Sequence, residues 1–194
     1  MGNESFENYT LYLQQTSRLG NIYRRHLLFP RLCKHLIGRT LDIGCGVGEL
    51  LAYRSRTVGI DINPHNIEIC KQRGLEAQVI ENGRYPADDA TFDSAIANHV
   101  IEHLPDPGPL LSEAYRVLKT GGILMLGVPG VKGFNSDPDH KVYYDLEKLT
   151  NCVVAHGFSV SDHFYMPLPV LVLTGYLRQF SLYLICKKTA KPAH

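Results

Sequence analysis

Residues 40–51 read Thr-Leu-Asp-Ile-Gly-Cys-Gly-Val-Gly-Glu-Leu-Leu. A short apolar run carries Asp42, glycines stand at positions 44, 46 and 48, and a helical pattern resumes at Glu49. That order reads as strand, tight turn, helix. Glycine suits a turn where another molecule must come close to bare backbone. Such a turn, set between a strand and a helix, is expected to aim free backbone N–H groups at a ligand. A second apolar run, Thr57-Val58-Gly59-Ile60, leads to Asp61. An acid in the loop after a second strand is placed to take the hydroxyls of a ribose. Turn and carboxylate together imply an adenosine-containing cofactor.

The spacing narrows the choice. Dinucleotide sites use G-x-G-x-x-G, whereas this chain has G-x-G-x-G preceded by Asp42. A carboxylate so close would repel a pyrophosphate but attract a cofactor bearing an ammonium and a sulfonium. With these residues in view, the chain resembles the class I S-adenosylmethionine-dependent methyltransferases, in which a D-x-G-x-G-x-G segment cradles the methionine part of the cofactor.

Further matches follow in order. Glu81 and Asn82 come after a third strand, Glu76–Ile80, where that family carries an acid and a small residue at the adenine edge; Glu81 departs from the usual Asp. Phe92–His99 resembles the fourth strand, and residues 100–107 the segment after it. Leu111–Gly122 looks like the helix and Gly-Gly turn ahead of a fifth strand, Ile123–Val128. The resemblance spans roughly residues 38–160. It implies an α/β, Rossmann-like doubly wound fold, a mostly parallel seven-stranded sheet with helices on both faces. It also implies cofactor contacts from Asp42, Gly44, Cys45, Gly46, Gly48, Asp61, Ile62, Glu81, Asn82 and Asn98. His99 and His140 are the candidate bases, since histidine suits proton removal near neutrality.

The whole chain sets bounds on function. Its 194 residues suit one α/β domain, divided into an N-terminal helical segment, 1–37, and a methyltransferase core, 38–194. Twenty basic and nineteen acidic side chains leave net +1, which argues against an extended nucleic-acid footprint. Five cysteines lack a C-x-x-C pair and read as reduced thiols of a cytoplasmic protein. The apolar stretch 166–177 is cut by Pro167, Pro169 and Gly175, too short to span a bilayer. The opening residues show no secretory pattern. We therefore expect a small-molecule acceptor (a metabolite, lipid-like molecule or sugar intermediate), no nucleic-acid partner, and a monomer or homodimer.

Helical spacing runs from Tyr23 to Leu36 with a break expected at Pro30, and Pro64–Arg73 opens on a first-turn proline and stops at Gly74. Asp145 is placed to cap a helix 146–156 ended by Gly157. Ser159–Phe164 and Phe180–Cys186 read as the last two strands. Rival readings were weighed on the same residues. His99-x-x-Glu102-His103 matches the inverted zinc-protease pattern, but Pro105 leaves little helix to carry it, so no metal is expected. An NAD-dependent oxidoreductase would share the sheet and Asp61 but not the glycine spacing. A degenerate, non-catalytic cofactor binder is the other alternative.

Overall fold

The computed structural model describes residues 18–167, 177 and 180–190. The elements are α1 (Arg18–Tyr23), a π-helical turn (Arg24–Leu28), α2 (Phe29–Cys33), β1 (Thr40–Ile43), α3 (Glu49–Tyr53), β2 (Thr57–Asp61), α4 (Pro64–Gln72) and β3 (Ala77–Val79). There follow β4 (Phe92–Asn98), a 3-10 turn (Ile101–His103), α5 (Gly108–Val117), β5 (Leu118–Pro129), α6 (Val131–Phe134), α7 (Leu146–Val154), β6 (Phe158–Met166) and β7 (Ser181–Lys188). One seven-stranded sheet has the order β3-β2-β1-β4-β5-β7-β6. The first five strands pair in parallel. β7 slots between β5 and β6 antiparallel to both.

Period-two alternation builds two cores from one sheet. Ile96, Met125, Tyr183 and Ile185 point to one face, where Leu28, Phe29, Leu32, Leu36 and Leu50 cover them. Ala95, Ala97, Leu124, Leu126, Leu182 and Leu184 point to the other, under Leu111, Ala114, Val117, Leu149 and Val153. Residues of the N-terminal segment thus form one wall of the core, and Arg24 Nε also reaches Glu49 Oε2 at 3.0 Å. The helical path does not break at Pro30. That proline occupies the first turn of α2, where a missing N–H costs nothing.

The expected cap is present: Asp145 Oδ1 accepts from Lys148 N at 2.8 Å. Asn63 caps α4 in the same way, its Oδ1 accepting from His65 N at 3.0 Å. The expected Gly-Gly turn is instead absorbed into β5, which starts at Leu118 against Phe92, with a register shift in β4 between Phe92 and Ser94. Most of the apolar stretch 166–177 lies outside the described residues. Among the described residues, no helix is long and apolar enough to cross a membrane.

Gly127 of β5 sits where a side chain would collide with the site's supports. A Cβ there would lie 2.5 Å from Tyr183 Cε1 and 2.6 Å from Asn98 Oδ1. Tyr183 is fully buried and has no room to retreat. Gly127→Ala is expected to destabilise the fold by about 1–3 kcal/mol, the usual cost of overpacking, read as a lower urea midpoint at unchanged slope.

Candidate cofactor and catalytic site

The strand order reverses between β1 and β4: the chain steps outward through β2 and β3, then returns to pair β4 with β1. In an open α/β sheet, that point leaves a crevice at the carboxyl ends of the strands. Two loops border it, residues 44–48 after β1 and residues 99–104 after β4. They touch. A Cβ on Gly44, whose φ is +71°, would lie 2.6 Å from Val100 Cγ2, so glycine is what lets the loops close on each other.

The turn does not offer its N–H groups as the sequence suggested. Gly44 N and Cys45 N donate to Ile60 O at 2.8 and 3.1 Å, Gly48 N donates to Cys45 O at 3.0 Å, and Gly46 N donates to Asp61 Oδ2 at 2.9 Å. The first, second and fourth of these bonds lock the turn to β2, and Gly48 N closes the turn on itself. A turn built this way presents bare backbone without the N–H nest that a phosphate needs. The Cys45 side chain packs away from the crevice, in a small core with Leu51, Ile67, Cys70 and Ala77.

Asp61 lies at the end of β2 and is buried. It also accepts from Asn63 N at 2.8 Å and from Asn66 Nδ2 at 3.3 Å. Burial raises its carboxyl, and the hydrogen bonds from Asn63, Gly46 and Asn66 oppose that rise. Asp42 is 5% exposed; burial and the nearby Asp61 carboxylate push it up to about 8. Two adjacent acids raised this way suit a ligand that brings positive charge into a place with room only for backbone contact. The chemistry of an ammonium- and sulfonium-bearing cofactor fits that donor set.

The remaining expected contacts line the same edge unevenly. Ile62 is 58% exposed just past β2, and Glu81 and Asn82 are exposed just past β3, with Asn82 at φ +51°. Asn98 is turned toward β7: its Oδ1 accepts from the Tyr183 hydroxyl at 2.9 Å.

His99 follows at φ +57°, a strained value for a non-glycine residue. Its Nδ1 lies 3.2 Å from Glu102 Oε1, and its Nε2 lies 3.0 Å from Ser181 Oγ. The side chain is 37% exposed, so the imidazole is both oriented and reachable. Ser181 is buried, which denies this Ser-His-Glu row an accessible nucleophile. His140 comes from the loop after α6, and its Nδ1 lies 2.8 Å from Phe134 O. Its Nε2 faces Glu102 Oε1 and Asp137 Oδ2, each at 3.9 Å. The two candidate histidines therefore flank one carboxylate, Glu102. Ser181 and Tyr183 carried no sequence signal. They reach the site because antiparallel β7 begins where the parallel strands end.

The topology defines a doubly wound domain whose sheet reverses between β1 and β4. Residues 41–126 match the family model described as "Methyltransferase domain". A "Probable S-adenosylmethionine-dependent methyltransferase" of Mycolicibacterium smegmatis is 29% identical over 72% of this chain and 60% of its own length. The human "Probable tRNA methyltransferase 9B" is 40% identical over 45% of this chain and 20% of its own. The chain thus spans less than two thirds of these curated relatives. A solved S-adenosylmethionine-dependent methyltransferase of Archaeoglobus fulgidus superposes with a TM-score of 0.72 at 21% identity, covering 94% of this chain and 99% of that one. Residues 41–126 thus carry the likeness to a methyltransferase domain, and the fold is that of solved S-adenosylmethionine-dependent methyltransferases.

The buried Asp42 leads to a pH-dependent stability. Its native carboxyl titrates near 8 and its unfolded one near the ordinary value of about 4. Between those values the native state holds the extra proton, so stability falls as pH rises through that window. Asp42→Asn removes the ionisation. The variant is expected to raise the melting temperature of the cofactor-free protein, and by more at pH 8 than at pH 5. A gain independent of pH would refute the burial account.

Proposed function

We propose that this protein transfers a methyl group from S-adenosylmethionine to a small-molecule acceptor bound over the end of β4. The observation that carries the reading is the Gly46–Asp61 lock at 2.9 Å, which sets the carboxylate against the glycine turn at the sheet's reversal point. Asp61 would hold the ribose and Asp42 would face the cationic methionine end. Gly44, Gly46 and Gly48 would leave room along the turn, with the Cys45 backbone among them. Ile62, Glu81 and Asn82 would border the adenine, and Asn98 would frame the crevice floor. Bound cofactor supplies a methyl carbon already activated by its sulfonium. The protein's part is chiefly to align the acceptor and exclude water.

His99 is the residue proposed to take the acceptor's proton. Ser181 Oγ, 3.0 Å from Nε2, holds the ring, and Glu102 lies 3.2 Å from Nδ1. His140, with Nδ1 engaged by a backbone carbonyl and its side chain 8% exposed, supports Glu102 rather than meeting an acceptor directly. Balanced charge supports a small acceptor, and the free cysteines support a cytoplasmic setting, with the chain acting as a monomer or homodimer. The likeness to a tRNA methyltransferase favours a second reading, an RNA acceptor.

Two measurements test this. Asp61→Ala should weaken S-adenosylhomocysteine binding about tenfold by calorimetry, the scale of one charge-assisted hydrogen bond; unchanged affinity removes the ribose role. Transfer of labelled methyl from S-adenosylmethionine should appear with a metabolite extract and not with bulk tRNA. His99→Ala should then slow turnover about 100-fold without changing cofactor affinity.

A further inference from the structure

Glu102 is 1% exposed, and neither of its carboxylate oxygens makes a hydrogen bond among the described residues. The contact from His99 Nδ1 has the distance of an ion pair, 3.2 Å, without the alignment of a hydrogen bond. A buried carboxylate left in that condition is costly and calls for a positive partner. The methyl-transfer reading does not supply one. The nearest neighbours are the His99 and His140 rings, at 3.2 and 3.9 Å, and neither is aligned to hydrogen-bond it.

The same residues assemble into a donor set. One ligand atom each from Glu102, His103 and His140 can be chosen so that all lie within 4.8 Å of one another. The two histidine rings stand edge to face with centroids 4.7 Å apart. His140 is prepared for the task. A proton on its Nδ1, donated to Phe134 O at 2.8 Å, leaves the lone pair of Nε2 pointing toward Glu102. A backbone acceptor that fixes the tautomer is the support that metal-binding histidines use. Asp137 stands 3.9 Å from the same nitrogen.

The backbone holds these parts together across a long sequence gap. Lys141 N and Val142 N both donate to Glu102 O, at 2.8 and 3.0 Å. That bridge lays the loop carrying His140 over the 3-10 turn carrying Glu102 and His103. The zinc-protease pattern read in the sequence is not what forms here. His99 at φ +57° and Val100 at φ −128° leave no helix on which His99 and His103 could share a face. His140 replaces His99 in the donor set.

We propose that Glu102, His103 and His140 bind one divalent transition-metal ion. Two imidazoles and a carboxylate are the donors of zinc sites that keep a position open for water, and of facial sites for divalent iron. Bonds of about 2.1 Å place neighbouring ligands about 3–4 Å apart. Closing from 4.8 Å therefore needs only a small inward shift of half-buried His103. The ion would neutralise Glu102 and leave coordination positions for an oxygen ligand. Its task rests on the reading that this edge takes the methyl acceptor. A metal lowers the pKa of a bound hydroxyl, which is the activation an oxygen acceptor requires.

The test uses the full chain, freed of metal by a chelator and titrated with Zn2+ and Co2+. One ion should bind per chain, with a Co2+ absorption spectrum of mixed nitrogen and oxygen coordination. Glu102→Gln, His103→Asn and His140→Asn should each weaken binding at least about 100-fold, with folding checked by circular dichroism. Absence of stoichiometric binding in the wild type, which needs no variant to fold, overturns the proposal. So does equal affinity in folded His103→Asn. Asp61→Ala should keep its metal while losing cofactor affinity. Loss of metal affinity with cofactor binding intact, or the reverse, therefore shows which of the two assignments has failed.

Discussion

Everything in the crevice depends on how closely the backbone after β1 approaches its neighbours. With no side chain at Gly44, that loop rests on Val100, and the two loops at the reversal point become one surface. Gly46 N then reaches the Asp61 carboxylate, and Ile60 O takes the two N–H groups before it. The turn spends the N–H groups of Gly44, Cys45 and Gly46 on β2 instead of on a ligand. What it offers is space beside two buried acids. That combination favours a positively charged ligand over a phosphate, and it explains in physical terms why glycine spacing separates these two cofactor classes.

The site's first half was legible in the sequence because it is local. Asp42, the three glycines and Asp61 lie within twenty residues, and strand–turn–helix chemistry puts each where the pattern implies. Alternation in β4, β5 and β7 was equally readable, since each buried residue states its face by parity. Two expectations failed for identifiable reasons. Free N–H groups were inferred from the turn alone, without the carbonyl of Ile60 that a neighbouring strand brings. A break was inferred at Pro30, although a first-turn proline continues a helical path.

The second half was hidden because it is assembled by tertiary contacts. Nothing in the order of residues says that the backbone after His140 will bond to Glu102 O, or that β7 will deliver Ser181 beside His99. At 99–103 Pro105 already leaves little helix for the zinc-protease pattern, and the strand end indeed passes through a left-handed residue at His99. Glu102 thus lies between His99 and His140 past the end of β4, while Asp61 lies at the end of β2 against the glycine turn. The sheet's reversal between β1 and β4 brings the two halves into one crevice.

A crystal structure with S-adenosylhomocysteine bound tests the central claim most directly. The account predicts the ribose hydroxyls on Asp61, the amino group of the methionine end near Asp42, and the chain of the ligand along Gly44–Gly46. A ligand seated elsewhere, or an Asp61 carboxylate still turned wholly into the glycine turn with no contact to the ribose, would contradict it.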